Sequence, residues 1–191
     1  MSRHIVVVDL ETTGFDPAIH QAIECSWWDL TTGYRGTFIP RHDVSATLGG
    51  ADVRALQINR YVDRIATAEQ DTSGEGVTLL AKTLHGNTLA GSNPAFDAKF
   101  LNAVFDDYAD ELDVIAEIYD ETVREFPCWH HRLWDLAPYA AGVLGLDHLP
   151  GLAEVCDLLD IASKPDHSAE ADVTATGECF LELFRRAGVP L

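Results

Sequence analysis

The chain opens on an unbroken apolar run, Ile5-Val6-Val7-Val8, which turns into alternation at Asp9-Leu10-Glu11 and stops at Thr12-Thr13-Gly14. A β-branched run of this kind reads as a buried strand. Its period of two puts Asp9 and Glu11 on one face and Val8 and Leu10 on the other. Residues 22–29 and 34–39 are rich in β-formers and are flanked by Thr-Thr-Gly and Pro40, so the first three strands are expected to form a meander. Trp27 and Trp28, adjacent on the second strand, should face opposite sides.

Helical spacing begins later. Residues 51–59 read as a short helix that continues towards Asp63 and Ala66. After the turn or cap cluster Asp71-Thr72-Ser73-Gly74, residues Val77, Leu80, Ala81 and Leu84 recur at helical spacing until His85-Gly86-Asn87 breaks it. Thr88-Leu89-Ala90-Gly91 predicts a strand, and Pro94 the first turn of a helix reaching Tyr108. Asp110 to Phe126 reads as a helix stopped by Pro127. A fifth strand should end within 132–136, with Asp135 capping a helix over 137–144. Another helix starts at Pro150-Gly151 and runs through Leu159. The last opens at 166–172, and Val173, Phe180, Leu183 and Phe184 form its buried stripe. No repeat or low-complexity segment interrupts this order.

At 191 residues and 47% hydrophobic content the chain can bury a full core, and one domain over 1–191 is expected. No stretch approaches the roughly 18 consecutive apolar residues of a membrane span, and the N-terminus lacks the regions of a signal peptide. A cytoplasmic location away from membrane follows. Cys25, Cys128, Cys156 and Cys179 form no Cys-x-x-Cys pair, so reduced, buried thiols are expected rather than a zinc or redox motif. An EF-hand loop is likewise absent.

The candidate chemistry lies in the acids. Asp9 and Glu11, unpaired at a strand end, would repel one another and be costly to desolvate, so a metal or a strong hydrogen-bond network should accompany them. They read equally well as solvated acids beside a turn. Asp97 falls just inside the helix begun by Pro94, where an acid also answers the helix dipole. His167 and Asp172 fall at the start of the last helix and about one turn in. Either could be an ordinary surface residue.

Taken together, the order Asp9-x-Glu11, Asn93-x-x-Phe96-Asp97 and His167-x-x-x-x-Asp172 resembles the three sequence blocks of the DEDDh, or DnaQ-like, 3′-5′ exonuclease family. The resemblance runs nearly end to end, and no tyrosine lies near Asp172 to suggest the sister branch. It implies an α/β, ribonuclease-H-like fold: a central mixed five-stranded sheet with helices on both faces. It also implies two divalent cations, Mg²⁺ or Mn²⁺, held by Asp9, Glu11, Asp97 and Asp172. His167 then serves as general base, a task suited to an imidazole. The implied reaction releases nucleoside 5′-monophosphates from a single-stranded 3′ end, DNA before RNA, with proofreading, repair or trimming as its setting and any polymerase supplied in trans. The substrate side would comprise the turn Thr12, Thr13 and Gly14, whose first two amides approach the terminal sugar, Leu56 and Ile58 as a wedge against the last base, and Phe96 near the scissile end. These three apolar residues also suit plain core packing. Rival readings are an oligoribonuclease-like enzyme of short RNA and a non-catalytic polymerase accessory protein.

Charge sharpens the substrate. Thirteen basic against 31 acidic residues give a formal charge of −18, and the lysines are only Lys82, Lys99 and Lys164. A protein tracking duplex would carry a basic stripe. Either the surface is merely soluble and acidic, or the substrate is a short single-stranded end gripped by metals, amides and stacking; the second suits the active site and the first the rest of the surface. Locally basic candidates are Arg54, Arg60, Arg64, Lys99 and His130-His131-Arg132. The lysine-poor, alanine- and aspartate-rich composition fits a GC-rich bacterial or phage genome.

Overall fold

The computed structural model describes residues 3–113 and 128–190. Strands β1 (Ile5–Thr12), β2 (Ala22–Asp29) and β3 (Arg35–Phe38) form the expected antiparallel meander. On the other side of β1, β4 (Thr88–Gly91) and β5 (Trp134–Asp135) add in parallel, giving a mixed sheet of order β3-β2-β1-β4-β5. Among the described residues, the helices with both ends in view are α1 (Val44–Gly50), α2 (Val53–Ile58), α3 (Tyr61–Arg64), α4 (Glu75–Leu84), α5 (Pro94–Asp107), α6 (Leu136–Leu144), α7 (Leu152–Leu158) and α8 (Ala169–Ala187).

Strand β1 lies in the middle of the sheet and is covered on both faces, which is why its first four residues are all apolar. Val6, Val8 and Leu10 pack with Trp27 and Phe38 beneath α4 and α5. Ile5 and Val7 pack with Trp28 and Leu30 against α6, α7 and α8. The two adjacent tryptophans therefore serve opposite cores. A third, small cluster joins Ile23 of β2 to Tyr61 and Ile65 at α3.

Several elements depart from the sequence pattern. The helix expected over 51–66 is two short helices broken at Arg60, whose backbone is left-handed at φ 53°. Helix α1 was not anticipated. It ends in Gly49-Gly50 and carries no apolar stripe, and it is held at its start by the Asp43 carboxylate, which accepts from the Ser45 and Ala46 amides. Helix α6 begins as expected, with Asp135 accepting from the Ala137 amide at 3.1 Å. The last helix starts at Ala169 with Ser168 as cap, so His167 precedes it. Most of the helix expected over 110–126 lies outside the described residues. All four cysteines are free and buried. Among the described residues no helix is long and apolar enough to cross a membrane.

Helix α8 reaches the sheet through a glycine. A Cβ on Gly177 would sit 2.2 Å from the Trp28 ring, and Trp28 is itself packed in the core. Gly177→Val should therefore lower stability by roughly 1–3 kcal/mol through overpacking. Urea unfolding checks this, and an unchanged midpoint would contradict the close approach.

Candidate active site

The site forms where the two halves of the sheet part company. β1 pairs with β4 through Ile5, Val6 and Val7, and its later residues run beyond that ladder. There the Leu10 amide donates instead to the Asp97 carboxylate at 3.1 Å, so the first turn of α5 takes over where β4 leaves off. Asn93 turns the chain into α5 with a left-handed φ of 69°, a conformation asparagine tolerates better than most residues. Asp97 is buried; Asp9 and Glu11, on the α8 face of β1, are partly open. Glu11 stands opposite Glu24 of β2.

Helix α8 brings the last two groups. Asp172 lies in its first turn and accepts from the Asp166 amide at 3.0 Å, which folds the preceding loop back over the helix start. Asp166 in turn accepts from the amide and hydroxyl of Ser168. Between them His167 adopts φ 61°, a left-handed conformation that costs an ordinary L-residue roughly 1–2 kcal/mol. Potential ligand atoms of Glu11, His167 and Asp172 lie within 4.8 Å of one another. Asp9 and Asp97 stand outside that tightest group but line the same pocket of about 240 Å³.

Electrostatics makes the pocket a proton or cation trap. Burial, then the charges of Asp97, Asp172, Glu11 and Glu24, push the Asp9 carboxyl well above the usual range. Burial and the neighbouring Asp172 and Glu24 raise Glu11 to about 8 despite the pull of Arg64. Burial raises Asp97 to about 8 although the Leu10 amide opposes it. Asp172 is raised by burial as well. Carboxyls that resist ionising singly are satisfied jointly by cations, and an all-oxygen donor set of this kind suits Mg²⁺ or Mn²⁺.

The remaining lining is mostly apolar. Leu10, Thr12, Phe15, Ala55, Ile58, Asn59, Ser92 and Phe96 complete the pocket. Phe96 does two jobs, facing the pocket and packing on Phe100 at 5.0 Å between centroids. Phe15, 81% exposed, meets Phe96 edge-on at 6.4 Å. The sequence reading passed over it, though an aromatic directly after the Gly14 turn was the available signal. Asn59 had no such signal: its buried amide donates to the Thr12 carbonyl at 3.1 Å and leaves its own carbonyl oxygen unpartnered.

Other expected contacts fall elsewhere. The Thr13 amide already donates to the Gln21 carbonyl at 2.9 Å and is not free for a sugar. Gly14 has no left-handed φ. Its lack of a Cβ instead leaves room for the His20 ring, which would otherwise lie 2.4 Å away and have to shift. Leu56 packs into the small core at Tyr61 rather than into the pocket. His130 donates its amide to the Asn87 carbonyl before β4, which puts the His130-His131-Arg132 segment at the opposite end of the sheet from the acids. Arg54 and Lys99 are exposed, and Arg60 lies 3.4 Å from Asp166.

The raised carboxyls fix the sign of a stability profile. Glu11 and Asp97 ionise near pH 8 when folded and at their lower ordinary values when unfolded. Between those limits the native state binds more protons, so its stability falls as pH rises. In chelator the thermal midpoint should drop from about pH 5 to about pH 9, and Mn²⁺ should restore it most at the alkaline end. A flat or rising profile in chelator would contradict the crowding of the acids.

No protein-family model matches the chain. Solved structures do. Escherichia coli exonuclease I in complex with a dT13 oligonucleotide aligns with a TM-score of 0.67 at 18% identity, covering 96% of this chain and 41% of that one. The zinc-bound form of the E. coli exonuclease I complex with single-stranded DNA gives 0.66 at 18% identity, over 96% and 41%. Exonuclease I from Methylocaldum szegediense gives 0.65 at 19% identity, over 96% and 40%. The chain thus spans about two fifths of the length of these proteins. What it shares with them is the ribonuclease-H-like α/β fold, a mixed five-stranded sheet flanked by helices.

Proposed function

We propose that the chain, acting as one domain, is a metal-dependent 3′-5′ exonuclease that removes nucleoside 5′-monophosphates from single-stranded nucleic acid, DNA in preference to RNA. One observation carries the reading: Asp9, Glu11, Asp97, His167 and Asp172, scattered over the whole chain, line one pocket. The likeness to exonuclease I structures, one of them bound to a dT13 oligonucleotide, supports it. Asp9, Glu11, Asp97 and Asp172 would hold two divalent cations, which when bound supply an activated water and stabilisation of the leaving 3′ oxygen. His167 would act as the general base, accepting a proton at an imidazole nitrogen. Leu10 fixes the Asp97 carboxylate through its amide, and Asp166 fixes Asp172 in the same way.

Phe15, Ile58 and Phe96 offer the terminal base an apolar, partly aromatic wall, and stacking on such a wall tolerates any base. At about 240 Å³ the pocket is small beside the roughly 300–1,000 Å³ of sites for drug-sized ligands, in keeping with a site that takes only the end of a strand. The acidic surface agrees with a substrate held by its end. A charge of −18 gives little long-range attraction to a duplex.

The test is a gel of 5′-labelled single-stranded DNA and RNA of one sequence, incubated with Mg²⁺ or Mn²⁺. A ladder shortening one nucleotide at a time from the 3′ end, faster on DNA and abolished by chelator, is expected. His167→Ala should lower kcat by about 10²–10⁴ with KM little changed. Intact substrates under every metal condition would overturn the reading, and faster shortening of RNA would reassign the substrate.

A further inference from the structure

Beside the acid cluster lies an ion pair whose bonds are all internal. Arg64, the last residue of α3, places Nη2 at 2.7 Å from both carboxylate oxygens of Glu24, and both side chains are mostly buried. Its Nη1 donates to the Asn59 carbonyl at 2.9 Å and to the His167 carbonyl at 3.2 Å. Glu24 Oε2 also accepts from the Ala169 amide at 3.0 Å, the first residue of α8. The pair therefore grips the main chain on both sides of Ser168: Arg64 holds the carbonyl of His167, and Glu24 holds the amide of Ala169. The segment it grips is the one in which His167 is left-handed, a conformation that persists only where its surroundings over-determine it.

Two other uses of these residues fail on the same geometry. Arg64 has committed both terminal nitrogens to protein acceptors, which leaves it poorly placed to bind a phosphate. Glu24, although opposite Glu11 on the sheet, has both oxygens taken by the guanidinium and so is withheld from the pocket.

We infer that the Glu24–Arg64 pair is a positioning device that holds the left-handed His167 segment over the pocket, with Arg64 a positioning residue that acts through His167. The inference rests on His167 being the proton acceptor of the proposed exonuclease. Arg64 makes its four bonds through two nitrogens fixed in one plane, a spread that a single ammonium nitrogen does not reproduce, so lysine is a poor substitute.

Hydrogen exchange followed by mass spectrometry, with single-turnover kinetics on labelled single-stranded DNA, tests this in Arg64→Met and Arg64→Lys. Both variants should exchange faster over residues 166–170 while β1 and β2 keep their protection. Cleavage should slow on the order of 10²-fold, the scale of a catalytic group displaced by about an ångström, with KM and its salt dependence unchanged. In a His167→Ala background, Arg64→Lys should cost almost nothing further, because the group it positions is gone. Unchanged exchange over 166–170 in both variants overturns the inference, as does an additive loss in the double variant. A raised KM with the salt slope reduced by about 1 overturns it in favour of a phosphate contact. If Arg64→Met does not fold, Arg64→Lys decides alone. If the wild-type protein cleaves nothing, the exonuclease reading fails, and the exchange data still report whether Arg64 holds the loop.

Discussion

Four carboxyls in one pocket repel one another, and the packing of the sheet supplies the free energy that keeps them together. Asp9 and Glu11 cannot retreat because β1 is locked between two cores, with Val8 and Leu10 in one and Val7 in the other. Asp97 is tied to the Leu10 amide, and Asp172 rides on a helix seated against Trp28 through Gly177. The strain of this arrangement appears as carboxyls raised above their usual range, Glu11 and Asp97 to about 8. A site built in that way is preorganised for cations before any arrive.

The fold divides the work of answering those charges. Glu24 is held by Arg64 in an ion pair, while Asp9, Glu11, Asp97 and Asp172 line the pocket. Backbone amides orient the acids without neutralising them: Leu10 holds Asp97, and Asp166 holds Asp172. Among the described residues, three of the four non-glycine left-handed backbones, at Arg60, Asn93 and His167, flank this region, consistent with strain concentrated near a functional site. In the proposed exonuclease, recognition falls to exposed apolar groups, Phe15 and Ile58, on an otherwise acidic protein.

Much of this was legible from local pattern. The run Ile5–Val8 announced a doubly covered strand, the tryptophan pair its two faces, and Asp135 its helix cap. The ordered acids and His167 could be picked out because motif order survives in sequence even where spatial proximity does not. What escaped depends on long-range contact. Nothing local shows that the Thr13 amide is spent on Gln21, that Gly14 makes room for His20, or that Leu56 turns inward to Tyr61. Arg64 stands out in the sequence only as a locally basic candidate for the substrate, because its partner, Glu24, lies 40 positions away on β2. Helix α1 lacks the periodicity that would betray it and depends on its Asp43 cap.

The central claim is that the crowded acids are a cation site. Calorimetric titration of Mn²⁺ into metal-free protein near pH 8, in buffers of different ionisation enthalpy and on wild type and Asp9→Asn, tests it most directly. Saturable binding of two ions per chain is expected, with protons released as Glu11 and Asp97 ionise, and Asp9→Asn should weaken both ions. Absence of saturable binding, or binding that releases no protons and ignores Asp9→Asn, would contradict the account.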